Sequence, residues 1–166
     1  MGAVISGVPP VSSAWTKIGA TRLTAAGNIT ITGIPPGYKI LKVILAHIDT
    51  AGGDITMILN GDVGNNYNYN ETVITSGVPG GAAYVNSPNV ILDDSGAGSL
   101  IGVIEITIQN NTDGDVHPFS AVGGRDIGNV LCSGYWNRVT EINQIDLAVN
   151  ASTFAIGTYY QLFGAK

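Results

Sequence analysis

Apolar and polar residues alternate along much of this chain with a period of two. From Asn28 to Ile34, Ile29 and Ile31 point one way and Thr30 and Thr32 the other. From Ser99 to Gln109, Ile104, Ile106 and Ile108 oppose Glu105, Thr107 and Gln109. That period belongs to strands with one buried face. Tyr38 to Ile48 differs, because Ile40, Ile44 and Ile48 oppose Leu41, Val43 and Leu45. Two apolar faces predict a central strand covered on both sides. Ile55 to Leu59, Phe119 to Val122, Val130 to Trp136, Gln144 to Val149 and Thr158 to Phe163 read as further strands.

The segments between these runs are rich in turn formers. Pro35-Pro36-Gly37, Ala51-Gly52-Gly53-Asp54 and Asn110 to Asp115 each predict a reversal. The most informative break is Asn60-Gly61-Asp62-Val63-Gly64-Asn65-Asn66. Its asparagines and glycines tolerate positive φ, and Tyr67 and Tyr69 then alternate with Asn68 and Asn70 as a strand does. Ser76 to Ala83, with its glycines and Pro79, reads as a flexible loop. Thr140 to Ile145 is the one place where a helical turn fits. No internal repeat at a fixed period is present, which argues against propellers and solenoids.

The expectation is an all-β chain of about eight to ten short antiparallel strands in a β-sandwich. A jelly roll is preferred to an immunoglobulin topology. Val8-Pro9-Pro10-Val11 favours an extended, unpaired backbone, so residues 1–13 read as an N-terminal arm. Residues 14–166 then form one domain, within the usual size range.

Composition adds a functional constraint. Only 11% of the 166 residues are charged, against roughly 25% in a typical soluble domain. A surface of Asn, Thr, Ser and Gly loses little charge solvation or side-chain entropy on burial, so the chain is expected to be a subunit of an assembly. The net charge is −5 and the seven basic residues are scattered, which argues against a nucleic-acid partner. No apolar run reaches the ~18–20 residues of a membrane-spanning helix. The first residues lack the basic stretch and apolar run of a secretory leader. The single cysteine, Cys132, allows no intramolecular disulfide and reads as a small buried hydrophobe.

Candidate chemistry is sparse. His47 and His117 are the only histidines, and neither lies in a zinc-binding or nucleophile-elbow spacing. Asp93-Asp94 and Asp113-Gly114-Asp115 offer carboxylates without the remainder of a calcium loop. Glu105 has no second carboxylate near it in sequence, as a glycosidase would need. No catalytic, cofactor-binding or metal-binding residue is assigned, and no cofactor is expected. Tyr67, Tyr69, Tyr84, Tyr135, Trp136, Tyr159 and Tyr160 include candidates for a sugar-stacking platform, with core and interface packing as the other role.

Several segments, in order, resemble a group of tailed-phage virion proteins. Ile34-Pro35-Pro36-Gly37-Tyr38-Lys39-Ile40-Leu41 is similar to an Ile-Pro-x-x-Tyr-x-x-Leu opening of a long strand. Asn60 to Tyr67 resembles an Asn-Gly-Asp-x-Gly-x-Asn-Tyr loop. Gly134-Tyr135-Trp136 with Ile142 to Leu147, and the terminal Gly157-Thr158 to Gly164, complete the likeness. Residues 110–112 depart from it, because Asn110-Asn111-Thr112 stands where an aromatic is usual. The resemblance implies a virion β-sandwich without enzymatic activity. The expected role is a capsid cement or decoration protein, a homo-oligomer, most simply a trimer, seated on the major capsid protein. The arm and the loops 60–69 and 76–83 are the expected contacts. The alternative is a tail or baseplate adhesin with a shallow glycan site lined by Tyr or Trp and Asn or Asp.

Overall fold

The computed structural model describes residues 15–75, 77–93, 101–110, 114, 116–125 and 128–166. The 1–13 arm and Asp94, Asp113 and Asp115 lie outside these. The described residues form twelve strands and no helix: β1 (Thr16–Arg22), β2 (Ile29–Thr32), β3 (Ile40–Ile48), β4 (Ile55–Leu59), β5 (Tyr67–Thr75), β6 (Val78–Ser87), β7 (Val90–Asp93), β8 (Ile101–Gln109), β9 (His117–Arg125), β10 (Gly128–Trp136), β11 (Gln144–Val149) and β12 (Tyr159–Ala165).

Two antiparallel sheets make a sandwich. The large sheet has the order β1-β12-β3-β8-β9-β10-β5-β6, and the small one β2-β11-β4-β7. The chain changes sheet at most connections. Consequently β3 lies between β12 and β8, and β11 between β2 and β4. The inward faces supply the core. Leu41, Val43 and Leu45 of β3 and Ile104, Ile106 and Ile108 of β8 meet Ile29, Met57, Leu59, Ile145 and Leu147 of the small sheet. Trp136, Tyr67 and Phe154 are the largest fully buried side chains.

The alternation read from β2, β5, β8 and β11 matches the burial, with Tyr67 and Tyr69 inward and Asn68 and Asn70 outward. Four details differ from expectation. There are twelve strands, not eight to ten. Residues 78–83 are not a loop but the first part of β6, paired along β5 from Thr75↔Val78 to Asn70↔Ala83. Glycine belongs there because a Cβ on Gly81 would sit 2.5 Å from the Glu71 carbonyl oxygen. No helical turn forms at Thr140 to Ile145, where Gln144 already opens β11. Finally, β3 is fully covered on one face only, since Ile40, Ile44 and Ile48 are half-buried.

Gly134 marks the tightest approach between β10 and β5. A Cβ there would lie 2.2 Å from the Asn68 carbonyl oxygen and 2.4 Å from the Tyr69 Cβ. Backbone and a strand-bound Cβ cannot retreat cheaply. Gly134→Ala is therefore expected to cost about 1–3 kcal/mol by overpacking. Gly80→Ala, whose added Cβ meets nothing closer than 4.0 Å, is expected to stay within about 0.5 kcal/mol of the parent. Urea denaturation of the two variants checks the contrast.

Candidate functional site

The Asn60–Tyr67 segment connects β4 of the small sheet to β5 of the large one. Its polar residues are engaged in holding the chain. Asn60 adopts φ 52°, and its Oδ1 accepts from the backbone N–H of Asn143 (2.9 Å) and Gln144 (3.0 Å). Its Nδ2 donates to the Glu141 carbonyl at 2.9 Å. The Asp62 carboxylate accepts from Gly64 N–H, Asn66 Nδ2, Trp136 Nε1 and Arg138 Nε, all within 2.9–3.1 Å. Burial works against its charge, but the bonds from Trp136, Gly64, Arg138 and Asn66 outweigh it and hold the pKa below the ordinary 3.8. The Tyr67 hydroxyl accepts from Leu59 N–H at 2.9 Å and donates to the Asp62 carbonyl at 3.1 Å. Asp62 is thus surrounded by donors and paired with Arg138.

The other titratable groups are dispersed. His47 lies inward on β3 at the edge of the Phe154 ring. His117 opens β9, fully buried beside Trp136, and its Nδ1–H donates to the Gln109 carbonyl at 3.1 Å. Burial pulls its pKa below 6.5. Cys132 is inward on β10, where burial and then Glu71 push the thiol up to about 12, so it is a packed side chain and a poor nucleophile. Glu105 does have a partner, Lys42 of the neighbouring strand, at 2.7 Å. Among the described residues no group of three or more His, Cys, Asp or Glu converges as a metal site would require. No described helix is long and apolar enough to cross a membrane.

The distinctive surface is the outward face of the large sheet. Ile101 (65% exposed), Val103 (53%), Val122 (57%) and Leu131 (57%) stand on it, with Ile74 beside them. Val122 of β9 and Leu131 of β10 are direct cross-strand partners. Across β9, β10 and β5 the described outward side chains, among them Ser120, Asn129, Ser133, Asn70 and Thr72, are uncharged. The patch is bordered on β8 and β3 by the Glu105–Lys42 pair, Glu105 being the cross-strand partner of Val122; an exposed apolar patch rimmed by polar residues is the kind of surface that marks contact with a partner. Sequence reasoning passed over these valines and leucines because alternation identifies the two faces of a strand without saying which residues remain uncovered.

Toward the other end of the same face, a groove of about 610 Å³ runs over β9, β10 and β5. Tyr135, Asn68, Asn70, Ser133 and Pro118 contribute to it. Of the seven aromatics considered as a platform, Tyr135 stands outward and exposed here and Tyr84 lines the groove edge. Tyr67, Tyr69 and Trp136 are core, with Tyr69 stacked on Tyr84 at 4.5 Å between ring centroids. Tyr159 and Tyr160 lie half-buried on β12, far across the sheet order.

No protein family, curated protein or solved structure matches the chain.

Asp62→Ala removes the acceptor for four donors and is expected to destabilise the fold by about 2–4 kcal/mol in urea denaturation. On the acid side the pH dependence follows from the two groups shifted downward, His117 and Asp62. Each has a folded pKa below its unfolded one, so each stabilises fully above the unfolded value and loses that contribution as pH falls through the folded value. The urea midpoint is expected to drop first below about pH 6.5 and again below about pH 4. His117→Leu should remove part of the first drop, and Asp62→Asn part of the second.

Proposed function

We propose that this protein is a non-enzymatic virion component, a capsid cement or decoration protein that forms a homo-oligomer, most simply a trimer, on the major capsid protein. The observation that carries the reading is the outward face of β9, β10 and β5, whose described side chains carry no charge and on which Val122 and Leu131 stand exposed. Burying such a face across several subunits gains apolar contact without stripping water from charges. A protein that binds only the assembled lattice stabilises it by mass action, so the capsid would resist heat and osmotic stress better. The dispersion of His47, His117, Glu105 and Cys132 supports a role without catalysis. The ordered resemblance from Ile34 to Gly164 supports the virion setting.

The strand order supports the jelly-roll reading as well. With β8, β9 and β10 taken as one expanded segment, the sheets read β2-β11-β4-β7 and β3-(β8–β10)-β5-β6. That is the order obtained when two Greek keys are wrapped together. The strands β1 and β12 extend the edge beyond β3.

The groove at Tyr135 favours a second reading, a tail or baseplate adhesin. It unites an exposed aromatic ring with Asn68, Asn70 and Ser133, which suits one apolar sugar face and its hydroxyls. A glycan array tests it, and Tyr135→Ala should abolish any binding found there.

The cement reading predicts copy numbers comparable to the major capsid protein in purified virions. It also predicts that stripped particles lose heat resistance and regain it when the protein is added back. Leu131→Asp is expected to prevent rebinding while leaving the thermal unfolding midpoint of the free protein unchanged. Absence from virions, or rebinding unaffected by Leu131→Asp, would count against it.

A further inference from the structure

We propose that a second copy of this chain pairs with the open edge of β6, antiparallel and about a two-fold axis, so that two large sheets join into one. The large sheet ends at β6, and among the described residues no strand lies on its open side. An unpaired edge presents a row of N–H and C=O groups, and most edges carry a device that keeps other strands off. The other three sheet edges each have one. β1 carries Lys17 and Arg22 and is interrupted by a register shift between Lys17 and Gly19. β2 and β7 are only four residues each. By contrast β6 runs for ten residues, none of them charged, and every residue from Val78 to Ala83 is exposed. Gly80, Gly81, Ala82 and Ala83 put no bulk in the way of a neighbouring backbone. The strand has one edge device, Pro79, and the pairing passes around it.

A proline in a paired strand keeps its nitrogen off the ladder, so Pro79 faces the open side. Asn86 N–H turns the other way, to Asn68 Oδ1 of β5 at 3.1 Å. Successive residues of an antiparallel strand alternate in direction, so Gly81, Ala83 and Val85 also direct N–H and C=O to the open side. A two-fold axis at Ala82 satisfies all three donors. Gly81 and Ala83 exchange bonds with Ala83 and Gly81 of the second copy, and Val85 N–H donates to the Pro79 carbonyl of the second copy. The missing proline donor then costs only the outermost bond. The same register sets Val85, 74% exposed, beside Pro79 of the second copy. It also lays the Tyr84 ring beside Gly80 of the second copy, an aromatic side chain covering a bare glycine backbone. The occupant is a second copy because the edge complements itself. A two-fold axis sets like side chains close together, which a charged strand would resist and this one does not. Pairing β6 to β1 instead would be head-to-tail and would grow a filament, whereas the two-fold closes and leaves Lys17 and Arg22 on the outermost strands. The contact uses neither Val122 nor Leu131, so it stands or falls independently of the virion reading.

Sedimentation of the full chain should show a concentration-dependent equilibrium between monomer and dimer. Ala83→Pro removes one open-side donor per copy and leaves the β5 ladder intact. It should weaken dimerisation roughly 10- to 100-fold without lowering the thermal midpoint of the monomer. Ala83→Lys, which asks nothing new of the backbone, should act in the same direction by bringing like charges together across the axis. Ala82→Cys should give a disulfide-linked dimer on mild oxidation, because Ala82 lies opposite its own copy, where facing Cβ atoms are about 4.5–5.5 Å apart. Val78→Cys, set opposite Asn86 of the second copy, should not, and Cys132 is buried in both. Three outcomes overturn the proposal. The chain stays monomeric at every concentration, self-association is untouched by both Ala83 variants, or Val78→Cys cross-links as readily as Ala82→Cys.

Discussion

Two backbone crossings between the sheets run side by side at one end of the sandwich, and the polar clamp between them underlies the rest. The connection after β4 passes from the small sheet to the large one, and the connection after β10 passes back. Neither crossing can satisfy its backbone groups from a ladder, yet both adjoin the core. Asn60 solves this for Glu141, Asn143 and Gln144, and Asp62 ties Trp136 and Arg138 to the opposite crossing. Asn110 adds a bond to Ile142 N–H at 2.8 Å, and Glu141 accepts from Gly37 N–H at 2.6 Å. Beneath the clamp, Trp136 stacks near Tyr67 and His117, so the polar layer and the aromatic layer hold one another in register.

That arrangement concentrates the polar groups of known purpose at one end and inside the core. It leaves the outward face of β9, β10 and β5 with uncharged described side chains and with Val122 and Leu131 uncovered. The same small number of charges that makes this face inexpensive to desolvate also leaves no cluster from which acid–base chemistry could be built among the described residues. A role in assembly is the reading that uses both facts. The groove at Tyr135 is a separate feature of the same face.

Much of the fold was legible because strand alternation is a local consequence of pleating. Ile29 and Ile31, Tyr67 and Tyr69, and Ile104 to Ile108 all lie on the faces their spacing assigned. The Asn60 turn was legible too, since only Asn or Gly takes its positive φ readily. What escaped was pairing that depends on a distant partner. Val78 to Ala83 looks like loop because glycine and proline are poor strand formers, yet an edge position beside β5 requires that smallness at Gly81. Val90 to Asp93 is too short to stand out, and its pairing with β4 makes it a strand. Asn110, noted only as a departure from a family pattern, became the buried acceptor for Ile142.

The sequence by itself determined the all-β class, the faces of the long strands, the main reversals and the low charge of the surface. These follow from residue type and spacing within a few positions. Tertiary structure alone decided which strands pair, that eight gather in one sheet and four in the other, and that Asp62 and Asn60 clamp the two crossings together. It also decided which apolar side chains remain uncovered. Those outcomes rest on contacts between residues as far apart as Asp62 and Arg138 or Asn60 and Gln144, and no local pattern records which distant backbone will need a partner.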